Sequence, residues 1–310
     1  MISRPFKQVD VFTDTAYLGN PLAVVLDGSG LSDEDMQHFA HWTNLSETVF
    51  LLQPTPEGAA AGADYRVRIF TPGAELPFAG HPTLGSCHAW LQAGGVPRAP
   101  AHVIQECAVG LITLRREGNR LAFAAPPLKR STPDPALLAQ VTAALGLQPE
   151  QILAAQLLDN GPVWLGLLLD SVDTVLQLVP KHPILKDLGV KVGVAGVSQS
   201  SDATPLIARS NREARAFGPR TATPDAGGEV HMEVRGFVAP VGVDEDPVTG
   251  SLNASLAQWL INEGRVPTSY IASQGTCLDR AGQVHIAQDE AGQVWVGGES
   301  VTCVDGTVVL

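Results

Sequence analysis

The chain is short of positive charge: 20 Lys and Arg stand against 32 Asp and Glu among 310 residues, a formal net charge of −12. Neutralising a nucleic-acid backbone takes clustered cations, and these are scattered among acids, so nucleic acid is excluded as a partner. Cysteine is scarce as well. Cys87, Cys107, Cys277 and Cys303 lie far apart and form no C-x-x-C pair. That excludes the common zinc and dithiol motifs and leaves reduced, buried, structural thiols as the expectation. His38 and His41 stand three apart on a helical segment, but no second ligand pair lies nearby, and no metal is expected. Long apolar runs are missing too. The most apolar stretch, "VWLGLLLDSVDTVLQLV" from Val163, is broken by Asp170 and Asp173, so no membrane span is expected. The start "MISRPFKQVD" lacks the apolar run of a signal peptide, and the expected location is the cytoplasm.

What is present is a chain with 45% hydrophobic and 17% charged residues, enough to bury a core in each of two ordinary domains. "KQVDVFTD" alternates as a strand does, and "GNPLAVVLDG" reads as a strand between turn residues. In "LSDEDMQHFAHWTN", Ser32 is placed to N-cap a helix with acids in its first turn and Met36, Phe39 and Ala40 at helical spacing. "SETVFLLQP" and "DYRVRIFTP" are further strands, separated by the turn "EGAAAGA". "AELPFAGHPTLGSCHAWLQAGG" places a proline where a helix should begin and Gly94 where it should stop. Strands "HVIQECAVGLITLRREG" and "NRLAFAAPP" complete a first half, residues 1–127. After the linker "PPLKRSTPDP" the theme returns in residues 128–310. "KVGVAGVSQ", "PLIARS" and "EVHMEVRGFVAP" are strand-like, "DEDPVTGSLNASLAQWLINEG" is a helix opened by Pro247 and closed at Gly264, and "GQVHIAQDEAGQVWVGG" and "ESVTCVDGTVVL" resemble hairpins. The last strand could return to the first half.

Two hexapeptides stand out, "HPTLGS" from His81 and "DPVTGS" from Asp246. Each reads as a helix start with its proline at or near the first helical position, followed by small residues that admit close backbone approach. Both helices are small or apolar nearly all round, which predicts burial. Two buried helix starts facing one cleft would present N–H groups in need of an acceptor and suited to an anion. The alternative is a helix-start signature over a pocket of water. Glu47, at the head of the apolar strand "ETVFLL", should be desolvated, with a raised pKa suited to moving protons, unless it lies exposed at the strand edge.

In combination, "FTDTAYLGNPLAVVLDG", "NLSETVFL", "IFTPGAELPFAGHPTLGS" and "DEDPVTGS" resemble the PhzF family of phenazine-biosynthesis isomerases, within the diaminopimelate epimerase-like fold. That resemblance implies an α+β protein of two pseudo-symmetric domains, each a mostly antiparallel sheet wrapped around a central helix. The site would lie between them, and the usual assembly is a homodimer. It implies Glu47 as the carboxylate that removes a proton from one carbon of a small cyclic unsaturated carboxylate and returns it to another. His81 and Asp246 hold the substrate and the right protonation states. Ser251 hydrogen-bonds near the substrate, with Thr83 and Thr249 beside it, and the amides near Gly80 and Gly250 receive its carboxylate or developing enolate-like charge. No cofactor is implied, because the substrate's own double bonds delocalise the carbanion.

Epimerases of the wider fold use a cysteine at each helix start. Here "FAGHPT" and "DEDPVT" hold no thiol, which disfavours two-base thiol chemistry. A hydrolase built from Ser251, His81 and Asp246 lacks the G-x-S-x-G elbow. A silent ligand-binding protein and an epimerase using Glu47 with another base remain as alternatives.

Overall fold

In the computed structural model, which describes residues 2–199 and 230–310, the period-two segments form strands and the two small, apolar segments form buried helices. The first half comprises β1 (Ser3–Val11), β2 (Asn20–Val25), α1 (Asp33–Thr43), β3 (Glu47–Leu52), α2 (Pro56–Ala60), β4 (Tyr65–Phe70), β5 (Glu75–Leu76), α3 (Gly80–Gln92), β6 (His102–Cys107), β7 (Gly110–Glu117) and β8 (Arg120–Ala124). The second comprises β9 (Lys129–Ser131), α4 (Pro135–Leu145), β10 (Ile152–Asp159), β11 (Val163–Leu169), α5 (Val172–Gln177), α6 (His182–Leu188), β12 (Lys191–Gln199), β13 (Val230–Phe237), β14 (Glu245–Asp246), α7 (Gly250–Asn262), β15 (Ser269–Gln274), β16 (Gly282–Gln288), β17 (Val294–Gly298) and β18 (Ser300–Val309).

Hydrogen bonding orders the first set of strands β18-β1-β2-β3-β4-β6-β7-β8. The second set runs β9-β10-β11-β12-β13-β15-β16-β17. Both are antiparallel except at matching places, where β2 lies parallel to β3 and β4 to β6, as β11 does to β12 and β13 to β15. Parallel neighbours need a crossover connection. The crossovers from β4 to β6 and from β13 to β15 carry α3 and α7, and each sheet curls around its own helix. Pairing of β8 with β17 joins the halves, and β18, contributed by the end of the chain, completes the first sheet against β1.

Both central helices are buried on nearly every face, as their composition predicts. Close approach is what the glycines permit: a Cβ at Gly85 would lie 2.6 Å from Leu22 and 2.8 Å from Val11, so α3 can rest directly on β1 and β2. The capping reading of α1 holds, with Ser32 and Asp35 forming a capping box and Met36, Phe39 and Ala40 buried against β3.

The two hexapeptides are not structural counterparts. Helix α3 begins at Gly80 after the N-cap Ala79, placing Pro82 at the third helical position, whereas α7 begins at Gly250 after Thr249 and leaves Pro247 outside. The repeat runs in another register: "ELPFAGH" from Glu75 and "EDPVTGS" from Glu245 each supply a two-residue strand, a proline and a helix-opening glycine. Gly80 therefore matches Gly250, and His81 matches Ser251. Pairing explains other departures. "PPLKRSTPDP" contains β9, bound to β10, and "ESVTCVDGTVVL" is one strand because β1 offers it a continuous partner. "EGAAAGA" opens with the one-turn helix α2, capped by Thr55. "PLIARS" lies outside the described residues. All four cysteines are free. Only Cys87 and Cys107 are buried, while Cys277 is exposed and Cys303 half-buried because neither sits on a core-facing position. No helix among the described residues is long and apolar enough to cross a membrane.

The two helix starts touch. A Cβ on Gly250 would lie 3.2 Å from Gly80 Cα, and one on Gly80 would lie 3.3 Å from Gly250 Cα and 2.7 Å from the Phe123 ring. Gly80→Ala should therefore cost about 1–3 kcal/mol by overpacking, read from denaturant unfolding, whereas Gly94→Ala, with no atom near the added carbon, should show only the strain of its positive φ.

Candidate active site

Glu47 is the first residue of β3, which enters from the left-handed Asn44 that ends α1. Its side chain is only 16% exposed, and one carboxyl oxygen, Oε2, lies 3.4 Å from Nδ1 of His81. His81 sits in the first turn of α3 with its side chain 5% exposed. Burial pushes the imidazole down to about 3, which the Pro21 carbonyl beside it opposes without reversing. Burial, then the Asp246 charge, pushes Glu47 up to about 8, against the opposing pull of Lys191. The contact is thus between a neutral ring and a carboxyl that is protonated through most of the neutral range, not an ion pair.

Asp246 reaches the same cleft from the other half. Neighbouring residues of a strand point to opposite faces. On β14, Glu245 turns to a buried bidentate pair with Arg235, at 2.9 and 2.8 Å, while Asp246 turns to the cleft. Its Oδ1 accepts from Asn20 Nδ2 at 2.9 Å and its Oδ2 from the Thr249 hydroxyl at 2.6 Å. Burial raises Asp246 to about 6 despite those two hydrogen bonds, which favour the charged form. Asn20 Nδ2 also donates to the Val248 carbonyl, 2.8 Å away, so one amide of the first half fixes the loop before α7.

Neither helix start has a capping side chain, although Gly80, His81 and Gly250 are all buried. Pro82 has no N–H to offer, so the first-turn donors are the amides of Gly80 and His81 in α3 and of Gly250, Ser251 and Leu252 in α7. Around them Glu47 Oε2, His81 Nε2 and Asn20 Oδ1 are buried without a hydrogen-bond partner. Uncompensated buried polar atoms on this scale fit a ligand site rather than a finished core.

Glu47, His81, Asp246, Gly80, Gly250, Thr249 and Ser251 are brought together. Thr83 is turned elsewhere: fully buried, its hydroxyl accepts from Gln105, whose amide oxygen holds Tyr65 and Ser86 in the first half's core. Ser251 Oγ accepts from the Trp164 indole at 3.3 Å. His81 faces Glu47 and Asp246 faces Asn20, so the three hydrolase residues do not form a relay. Cys87 lies a turn and more inside α3, and burial pushes its thiol up to about 12, away from nucleophilic or basic use. His38 and His41 are exposed on α1, and no group of metal-binding side chains occurs among the described residues.

The family model for phenazine biosynthesis-like proteins, PhzC-PhzF, matches residues 9–306. The chain belongs to the PhzF family. Antisense-enhancing sequence 1 of Schizosaccharomyces pombe is 34% identical over 320 residues, covering 99% of each chain. Trans-2,3-dihydro-3-hydroxyanthranilate isomerase of Pseudomonas aeruginosa is 29% identical over 311 residues, covering 97% of this chain and 98% of that one. A PhzF-family crystal structure from Bacillus anthracis superposes over 100% of both chains with a TM-score of 0.78 at 21% identity, which speaks for the fold. Racemase and epimerase structures share that fold. Bacterial relatives carry the name isomerase, and this PhzF protein is an enzyme of that class.

Three residues around this candidate site carried no signal in the linear sequence. Asn20 lies in a turn-like "GNP", Trp164 in an apolar run, and Lys191 opens "KVGVAGVSQ" as any strand-edge lysine would. The corrected repeat register exposes Lys191, since it begins β12 as Glu47 begins β3. The raised pKa of Glu47 has a stability consequence. A carboxyl that ionises near 4.5 when unfolded and near 8 when folded takes up a proton on folding, so its contribution declines as pH rises between those values. Glu47→Gln should therefore gain stability relative to the parent over that window, on the order of 5 kcal/mol by pH 8 and above, read from unfolding midpoints. A difference that does not change with pH would show that the carboxyl is not desolvated.

Proposed function

We propose that this protein is a cofactor-independent isomerase that moves a proton between carbons of a small, cyclic, unsaturated carboxylate, with Glu47 as the acid and base. The observation that carries this reading is the Glu47 carboxyl. It is buried, raised to about 8, 3.4 Å from a neutral His81, and has an oxygen without a partner. A group that titrates near the working pH can accept a proton and return it with little driving force lost either way. In the ionised form Glu47 removes a proton from the substrate carbon. The electron pair passes into the substrate's conjugated system, and the protonated carboxyl then delivers the same proton to a second carbon on the same face. His81, neutral throughout, donates or accepts one hydrogen bond without competing for the proton. Asp246, held by Asn20 and Thr249, anchors a polar substituent. The uncapped amides at Gly80 and Gly250 face the developing enolate-like charge.

The named activity of the Pseudomonas aeruginosa relative supports dihydro-hydroxyanthranilate as the first compound to test. Glu47, His81 and Asp246 come from one chain, so each protomer of the cytoplasmic homodimer proposed here carries a whole cleft. The test is an NMR assay in D₂O with dihydro-hydroxyanthranilate and a panel of cyclic unsaturated carboxylates. Deuterium uptake or double-bond migration is expected with the parent. Glu47→Gln should lose at least about 10²-fold while still binding ligand. Because the ionised form is the base, the rate should climb about tenfold per pH unit below the Glu47 pKa and level off above it. Unimpaired exchange in Glu47→Gln would sink the assignment.

A further inference from the structure

The pseudo-symmetry that pairs α3 with α7 also pairs the walls of the cleft. In the first half, Glu47 begins β3 opposite Leu22 of the parallel strand β2. In the second, Lys191 begins β12 opposite Trp164 of the parallel strand β11. His81 of α3, beside Glu47, is matched by Ser251 of α7, and Ser251 is bonded to the indole of that same Trp164. The Lys191 ammonium lies 5.9 Å from the Trp164 ring centroid. The first half thus places a carboxyl next to an imidazole, and at the matching positions the second half places an ammonium near an indole that is itself bonded to a hydroxyl.

We propose that Lys191 pairs with the carboxylate of the ligand, fixing that end of the molecule on the wall of the second half while the reacting carbons face Glu47. This inference rests on the reading of the cleft as a carboxylate site and assigns which residue meets the carboxylate. An anion entering the cleft faces Glu47 and Asp246, both of which repel it when ionised. Each helix start offers only about half a unit of positive charge, spread over its first amides. Lys191 contributes a full unit, and its charge bears on both carboxylates, so it lies within electrostatic reach of the space between them. Its opposition to Glu47 separates anchoring from chemistry. The ligand's charged end is drawn to one wall and its ring carbons are left against the other. Lys191 is a half-buried residue whose ammonium lies 5.9 Å from an aromatic ring, a setting in which a charge-assisted hydrogen bond discriminates a carboxylate from its neutral amide.

The experiment is calorimetric titration at pH 7 with two unreactive probes of equal shape, 2-aminobenzoate and 2-aminobenzamide. The proteins compared are the parent, Lys191→Met, Lys191→Arg and Glu47→Gln. The expected result is that Lys191→Met weakens 2-aminobenzoate by about tenfold or more and leaves 2-aminobenzamide unchanged, whereas Lys191→Arg stays within about threefold of the parent for both. Equal weakening of both probes would assign Lys191 a structural role, and no weakening of either would remove it from the ligand. Each overturns the inference. If Glu47→Gln abolishes exchange while Lys191→Met still binds 2-aminobenzoate normally, this inference fails and the proposed function stands. If the parent binds neither probe, both fall together.

Discussion

The contact between Gly80 and Gly250 is the constraint around which the molecule is arranged. Two buried helices meet end to end at backbone distance, which glycine favours at both positions, since a methyl on either would sit at 3.2 or 3.3 Å from the other's Cα, tighter than ordinary van der Waals contact. Their unsatisfied amides converge on one spot. Everything that delivers a functional side chain does so relative to that spot: β3 brings Glu47, the first turn of α3 brings His81, and β14 brings Asp246. A dry environment follows, because the sheets that wrap the helices exclude water, and that desolvation rather than any neighbouring charge leads the shifts of all three titratable groups.

The two halves share more than their strand order. Arg68 on β4 grips Glu75 on β5 through two bonds of 2.7 Å and lies over the Phe70 ring, and Arg235 on β13 grips Glu245 on β14 and lies over Phe237 in the same way. Each pair holds the short strand that leads into its central helix. The first is near the surface and adds little stability on its own. The second is buried, with side chains 5% and 6% exposed, and Arg235 also donates to the carbonyls of Val175 and Leu178. Removing one partner of such a pair costs about 3–5 kcal/mol because the other charge is left unmatched. The same scaffold thus occurs twice, and its matching positions differ: His81 against Ser251 at the helix starts, Glu47 against Lys191 at the strand heads.

That divergence gives a duplicated site a direction. A symmetric pair of bases at the two helix starts suits inversion at one centre, whereas one carboxyl beside a neutral imidazole suits transfer along one face. Cys87, buried nearly two turns inside α3 with its thiol raised to about 12, is out of position for the former. The Asn20 amide, tied to both Asp246 and the Val248 carbonyl, links the halves so that the geometry of one wall depends on the other.

By itself the sequence determined most of the strands, the two buried central helices, the capped helix α1 and the head-of-strand position of Glu47. These follow from local rules: period-two and period-3.6 patterning, a capping box, and small or apolar residues on every face of a helix. It also showed that a segment was repeated, but pointed to the wrong register, because "HPTLGS" and "DPVTGS" match by letter while "ELPFAGH" and "EDPVTGS" match by structure. Only the tertiary structure decided which glycines touch, because that depends on backbone approach between segments far apart in the chain. It alone decided that Thr83 serves the core, that Asn20 binds Asp246 and the loop before α7, and that Lys191 matches Glu47 across the two halves. A buried asparagine and a strand-edge lysine look ordinary until the sheets place their neighbours. It alone decided that the last segment is one strand completing the first sheet, since a strand's length is set by the partner it finds, and that partner, β1, lies at the other end of the chain.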